Sequence, residues 1–244
     1  MRERSRPSGA SGPTERGEPT APVDRAVVVM GKLPRPGRVK TRLGLAPEAA
    51  AALYRAFLAD GVARVDAAFG PDGGRRVFAC ALEEDEPLEA ARRLVPSSWA
   101  VVRQADGDLG HRMRHAWRSG QARSTLVIGS DLPELPARSL RDAFARLEAG
   151  SEARVVLVPA TDGGYVLVGM RRDHAAPFEA VPWSTAEVLA VTRARIEAAG
   201  LELQLVGPPV PDVDRPEDLR RLRSTVAADS ETGRALARWV PRPA

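Results

Sequence analysis

From residue 26 onward, apolar runs of strand length alternate with longer stretches of helical periodicity, and few folds can absorb that order. Residues 26–30 (Ala-Val-Val-Val-Met) are apolar throughout, as in a strand covered on both faces. A Gly/Pro-rich loop follows, and then a helix over 47–69, with Pro47 suited to its first turn and Leu53, Phe57 and Val65 on an apolar face. Further strands are expected at 76–82, 99–103, 125–129, 154–158, 165–170 and 201–206. Helices are expected around 87–94, 110–118, 140–147, 186–199 and 216–222. Strands joined through helices make right-handed crossovers, so the fold class is α/β, a mostly parallel sheet with helices on both faces. The strand at 165–170 follows its predecessor through a tight turn, Asp162-Gly163-Gly164, so one antiparallel pair makes the sheet mixed.

One domain, residues 25–224, accounts for this pattern. Residues 1–24, polar and rich in Pro, Gly, Ser, Arg and Glu, are expected to form a disordered tail, and residues 225–244 a C-terminal helix or tail. No apolar run approaches membrane-spanning length, so no membrane partner is expected. The single cysteine, Cys80, lies in an apolar strand run and cannot form an intrachain disulfide, which suits a cytoplasmic protein. The net charge is only +4 and the arginines are interspersed with acids, so nucleic acid is not expected as a partner.

Of 36 cationic residues only Lys32 and Lys40 are lysine, and both fall in the loop leaving the first strand. That loop also carries Gly31, Gly37, Arg38, Thr41 and Arg42, which points to phosphate. Glycine lets backbone N–H groups approach an anion, and Lys and Arg neutralise it. Two residues separate Gly37 from Lys40-Thr41, so this is not a Walker loop; a solvated basic turn is the plain alternative. Asp131, directly after the strand at 125–129, stands where open α/β sheets place their ligands and suits a divalent cation, although it can equally cap a helix. Asp212-Val213-Asp214 offers a second carboxylate site or a cap for the helix at Pro216. Asp108 can cap a helix or meet a substrate hydroxyl. Asp162, Gly163, Gly164 and Tyr165 read first as a hairpin turn, and Trp183 can set an indole against a sugar or base. His111 and His115 lack the intervening Glu of a zinc-protease motif and receive no role.

Taken in order, GKLPRPGRVKTRL, QADGDLGHRM, IGSDLPEL, PATDGGYVLVG and VPWST resemble the rSAM/selenodomain-associated transferases, also labelled arsenosugar-biosynthesis-type glycosyltransferases, over residues 26–222. The resemblance implies the glycosyltransferase-A or nucleotide-diphospho-sugar transferase fold, with a nucleotide over the C-terminal ends of the first strands. Lys40-Thr41-Arg42-Leu43 and the Val213-Asp214 segment with Pro216-Glu217-Asp218-Leu219 are also similar to 2-phospho-lactate guanylyltransferases, with Arg215 where those relatives usually have Thr. By that likeness Asp131 and Asp214 form a metal pair for Mg²⁺ or Mn²⁺, and Lys40 and Arg42 attend a leaving pyrophosphate. Gly129-Ser130-Asp131 lacks the Asp-any-Asp of the usual glycosyltransferase. The resemblance thus implies a metal-dependent transferase, first a glycosyltransferase passing sugar from a nucleotide sugar to a small-molecule acceptor. The alternative is a nucleotidyltransferase that takes a nucleoside triphosphate.

Overall fold

The apolar runs pair side by side. The computed structural model describes residues 23–69 and 73–240. Its seven strands are β1 (Val23–Lys32), β2 (Arg75–Ala81), β3 (Ala100–Arg103), β4 (Ala122–Gly129), β5 (Arg154–Pro159), β6 (Tyr165–Met170) and β7 (Glu202–Leu205), in the sheet order β3-β2-β1-β4-β6-β5-β7. Strands β3, β2, β1 and β4 run parallel, as do β5 and β7. β6 is antiparallel to both β4 and β5, so a single reversed strand produces two antiparallel pairings where one was expected. The tight turn expected from Asp162-Gly163-Gly164 joins β5 to β6, and Gly163 has φ +90° there. Of the expected N-terminal tail, residues 1–22 lie outside the described residues; Val23 and Asp24 belong to β1, whose pairing with β4 reaches back to Val23.

Helices cover both faces. On one face α1 (Pro47–Phe69), α2 (Leu88–Arg92) and α4 (Ala137–Glu148) close a core holding Val27, Val29, Phe78, Leu126, Leu140 and Phe144. On the other, α3 (Leu109–Ser119) and α5 (Val188–Ala198) set Met113, Trp117 and Ile196 against Val28, Val77 and Val168. Central strands apolar on both faces are what such a sandwich requires. Cys80 is fully buried in β2, as its apolar run predicts.

α1 is buried on two sides, leaving a narrower exposed stripe through Glu48, Arg55, Ala63 and Ala67. Leu58, Val62 and Val65 meet the sheet, whereas Leu53 and Phe57 face α6 (Pro216–Thr225) and α7 (Glu231–Trp239) through Leu219, Leu222 and Leu236. The polar C-terminal segment is therefore a helix docked on α1, and Asp60 of α1 accepts hydrogen bonds from the first backbone amides of α7, Glu231 N–H (3.0 Å) and Thr232 N–H (2.8 Å). Leu236 is 2% exposed, and Leu236→Ala is expected to cost about 2–4 kcal/mol in urea denaturation, the usual loss for a large-to-small core change.

Candidate active site

β1 and β4 lie next to one another and run in the same direction, so the loops leaving them open onto one cleft of about 550 Å³. The β1–α1 loop is held by three apolar pegs. Leu33 enters the sheet core, Val39 packs on Ala51 and Tyr54, and Leu43 joins the α1–α6–α7 cluster. Lys32, just before the first peg, and Arg38, Lys40, Thr41 and Arg42, between the pegs, line the cleft. Arg35 and Arg38 also form ion pairs with Glu86 and Glu83, tying this loop to the segment after β2. Lys40 has φ +49°, a left-handed backbone that its surroundings must impose.

Gly31 lines the cleft, yet packing alone excludes a side chain there: an added Cβ would lie 2.8 Å from Phe78 Cε2 and from Ser130 Oγ. Gly37 has φ +72° with open space around it and stands outside the lining, so its place in the loop is explained by turn conformation.

Lys40, Asp131 and Asp214 meet. Lys40 Nζ is 2.7 Å from Asp131 Oδ2 and 2.9 Å from Asp214 Oδ1, and only 7% of its side chain is exposed. Burial works against the charge on Lys40, but the two carboxylates outweigh it and hold its pKa above the ordinary ammonium value. The expected carboxylate pair has thus converged from chain positions 83 residues apart (214 − 131), with an ammonium between its members. Asp212 joins them. Burial and the charges of Asp162, Asp131 and Asp214, only partly relieved by Lys40, push its pKa up to about 7. Alternation about the buried Val213 brings Asp212 and Asp214 to the same cleft, a signal present in the sequence.

This donor set fits a divalent cation. Its oxygens are hard, and the carboxylates of Asp131, Asp212 and Asp214 share one cleft wall with a single ammonium, Lys40, between two of them. Among the described residues no three His, Cys, Asp or Glu side chains converge as a self-sufficient metal cage. A cation held by Asp131 and Asp214 would therefore need substrate phosphates to complete its shell, as Mg²⁺ commonly does.

Other expected residues are distributed unevenly. Tyr165 lines the cleft. Asp162 accepts a hydrogen bond from Gly164 N–H (2.9 Å) within its turn and reaches the site through its charge on Asp212. Gly163 is pressed against the backbone of Ala186, and its carbonyl accepts from Leu189 N–H (2.8 Å). Trp183 stands behind Tyr165, edge-on at 6.3 Å, rather than in the cleft wall. Asp108 caps α3, accepting from His111 N–H (2.8 Å), and also stands outside the lining.

Three further contributors are not legible as site residues in the sequence. Tyr54 accepts a hydrogen bond from Lys32 N–H (2.9 Å) and shares a second with the Ser130 hydroxyl (2.7 Å); burial pushes its pKa up to about 12. Gln104 donates to the carbonyls of Gly31 (3.0 Å) and Ala79 (2.8 Å) and accepts from Arg112, which faces the cleft. Arg64 donates to Leu132 O (3.1 Å) and Pro133 O (2.9 Å), bracing the loop that carries Asp131 from the α1 side. These groups act through long-range contacts that no local motif encodes.

A family model described as "Uncharacterized protein conserved in bacteria (DUF2064)" matches residues 64–185, half of the chain, including Asp131 and the Asp162–Tyr165 turn. The chain belongs to this family. It is also 32% identical over 206 residues to a 2-phospho-L-lactate guanylyltransferase of Halorubrum lacusprofundi, covering 83% of this chain and 87% of that relative. A solved structure from Desulfovibrio desulfuricans G20, described as a nucleotide-diphospho-sugar transferase, superposes with a TM-score of 0.78 at 26% identity, covering 88% of this chain and 94% of that one. A cytidylyltransferase from Leptospira borgpetersenii, at 13% identity and a TM-score of 0.55 over 86% of this chain and 90% of its own, shares the fold. The fold expected from the motifs is therefore the one observed, and a transferase is supported. Neither of the first two relatives is described as an rSAM/selenodomain-associated protein, and that part of the resemblance rests on the motifs alone.

Proposed function

We propose that this DUF2064 member is a nucleotidyltransferase that joins a nucleoside triphosphate to a small phosphorylated acid and releases pyrophosphate. The observation that carries the reading is the charge division of the cleft. Lys32, Arg38 and Arg42 stand on the β1–α1 side, the acids Asp131, Asp212 and Asp214 stand opposite, and Lys40 spans the gap. Among the described residues Lys32 and Arg42 have no acidic partner within ion-pair distance, which leaves two cations to receive a polyanion. Further support comes from the guanylyltransferase relative, aligned across most of both chains, and from the single Asp at Gly129-Ser130-Asp131.

In this reading an oxygen of the acceptor's phosphate attacks the α-phosphorus of the triphosphate. The bond from that phosphorus to the oxygen bridging the β-phosphate breaks, and pyrophosphate carries away the bonding pair. Arg42 and Lys40 bind the leaving group as its charge grows, and their fixed positive charge stabilises the transition state more than the ground state. Asp131 and Asp214 would hold Mg²⁺ or Mn²⁺, which when bound offsets phosphate charge and polarises the reacting phosphoryl group. Lys40 then passes from the carboxylates to the phosphates, a move its flexible stem permits.

Sugar transfer, the first function implied by the motif resemblance, is favoured by the description of the Desulfovibrio neighbour and would use the same phosphate contacts. The two reactions differ in product. Purified protein is given a panel of nucleoside triphosphates with phosphorylated hydroxy acids, and in parallel a panel of nucleotide sugars, each with Mg²⁺ or Mn²⁺. Pyrophosphate release in the first panel, dependent on both substrates, is expected. Nucleoside diphosphate release from a nucleotide sugar, with no pyrophosphate from any triphosphate, would replace this reading with sugar transfer.

A further inference from the structure

Asp131, Asp212 and Asp214 repel one another, yet two separate loops hold them close, and Lys40 ties them only from the cleft side. A second tie stands behind them. Arg221 of α6 donates from Nε to Glu134 Oε2 (3.1 Å), from Nη1 to Asp218 Oδ1 (2.8 Å) and from Nη2 to the carbonyl oxygen of Asp212 (2.6 Å). Glu134 is three residues beyond Asp131 in the loop after β4. Asp218 uses its other oxygen, Oδ2, to accept from the backbone N–H of Asp214 (3.0 Å) and of Arg215 (2.9 Å). One guanidinium therefore joins the loop bearing Asp131 to the segment bearing Asp212 and Asp214, with Asp218 pinning the backbone at Asp214. Glu134 and Asp218 are largely buried, at 10% and 17% side-chain exposure, so the clasp is not a loose surface pair.

We infer that Arg221 is a positioning residue that sets the spacing of the two acidic loops, so that the carboxylates stay converged when Lys40 leaves them for a bound polyphosphate. The clasp stands on its own distances, and its consequence for the reaction rests on the nucleotidyl-transfer reading above. Three donors aimed in fixed directions match the planar fork of arginine; lysine, with one compact head, supplies the charge without the fork.

The scarcity of lysine makes the test direct. Lys32 is exposed and Lys40 is held in its ion pairs, so acylation of the two by a lysine-selective reagent, read peptide by peptide in a mass spectrometer, reports the spacing of the acidic loops with Lys32 as internal reference. In the wild type Lys40 is expected to react at least about fivefold more slowly than Lys32, a factor within reach of two partly exposed ion pairs. Arg221→Gln should raise the Lys40-to-Lys32 ratio severalfold without an unfolding transition below that of the wild type by more than a few degrees. Arg221→Lys should recover only part of the protection, and Glu134→Gln, which weakens a single arm, should give a smaller rise and serves if Arg221→Gln does not fold. An unchanged ratio in folded Arg221→Gln, full recovery by Arg221→Lys, or an unprotected Lys40 in the wild type would each overturn the inference. Labelling needs no nucleotide, so it can be read even if no pyrophosphate is ever released. Where Mg²⁺ strengthens nucleotide binding to the wild type, Arg221→Gln should also raise the half-saturating Mg²⁺ about tenfold, as loss of groups that orient metal ligands does. An unchanged Mg²⁺ midpoint would contradict the inference even if the labelling shifts.

Discussion

Asp131→Asn is expected to lower turnover by about 100-fold or more and to abolish the gain in nucleotide affinity that Mg²⁺ or Mn²⁺ confers, a loss on the scale seen when a metal's surroundings are disrupted. The substitution keeps the size of the side chain and removes its charge. Asp131 is 41% exposed, so the fold does not depend on its desolvation and the melting temperature should move little. Asp214→Asn, at 57% exposure and with its backbone N–H still pinned by Asp218, should act in the same direction less severely. Steady-state turnover against metal concentration, with a melting curve for each variant, checks both. Wild-type metal enhancement in Asp131→Asn would place the cation elsewhere.

Lys40→Ala should separate two effects that most site substitutions merge. Without the ammonium, Asp131 and Asp214 face each other uncompensated, so the affinity for Mg²⁺ alone should rise. The triphosphate loses a cation that meets its leaving group, so turnover should fall by about 100- to 1,000-fold, the usual cost of deleting one donor to a developing oxyanion. The metal-free melting temperature should fall and Mg²⁺ should restore it, because the variant's own carboxylates bind the ion. Calorimetric titration of Mg²⁺ and, separately, of nucleotide into the variant reads the two changes. Weaker binding of both would mean that Lys40 organises the loop rather than occupying the cation's place.

The parts of the fold that were legible in the sequence are those with local signatures. The Ala26–Met30 run, short and β-branched, has the signature of a strand covered on both faces, and Asp162-Gly163-Gly164 specified a tight turn wherever its strands went. What local patterns could not specify was partner choice. β6 lies between β4 and β5 because the hairpin folds back into the sheet, and a turn signal is silent on which strand receives the other edge. Leu53 and Phe57 were readable as an apolar face of α1, but not that the face belongs to α7, whose mean composition is polar and whose apolar contribution centres on Leu236.

The site divides in the same way. Lys40 stood out as one of two lysines in a basic loop, and Asp131 and Asp214 as acids following strands, and they do meet; that the lysine would sit between the acids followed only from the path of a loop pegged by Leu33, Val39 and Leu43. Asp108 carried two readings in the sequence, and the cap geometry at His111 accounts for it. Tyr54, Arg64, Gln104 and Arg221 each act by reaching a backbone or side-chain group far along the chain, and such contacts leave no spacing rule to read.

The most direct test of the site is a crystal of the protein grown with Mn²⁺ and a non-hydrolysable nucleoside triphosphate, with the manganese located by its anomalous scattering. The expected result is a peak in contact with Asp131, Asp214 and phosphate oxygens, with Lys40 Nζ moved from the carboxylates to the phosphates. A nucleotide bound in the cleft with Lys40 still between the two acids and no manganese beside them would contradict the assignment.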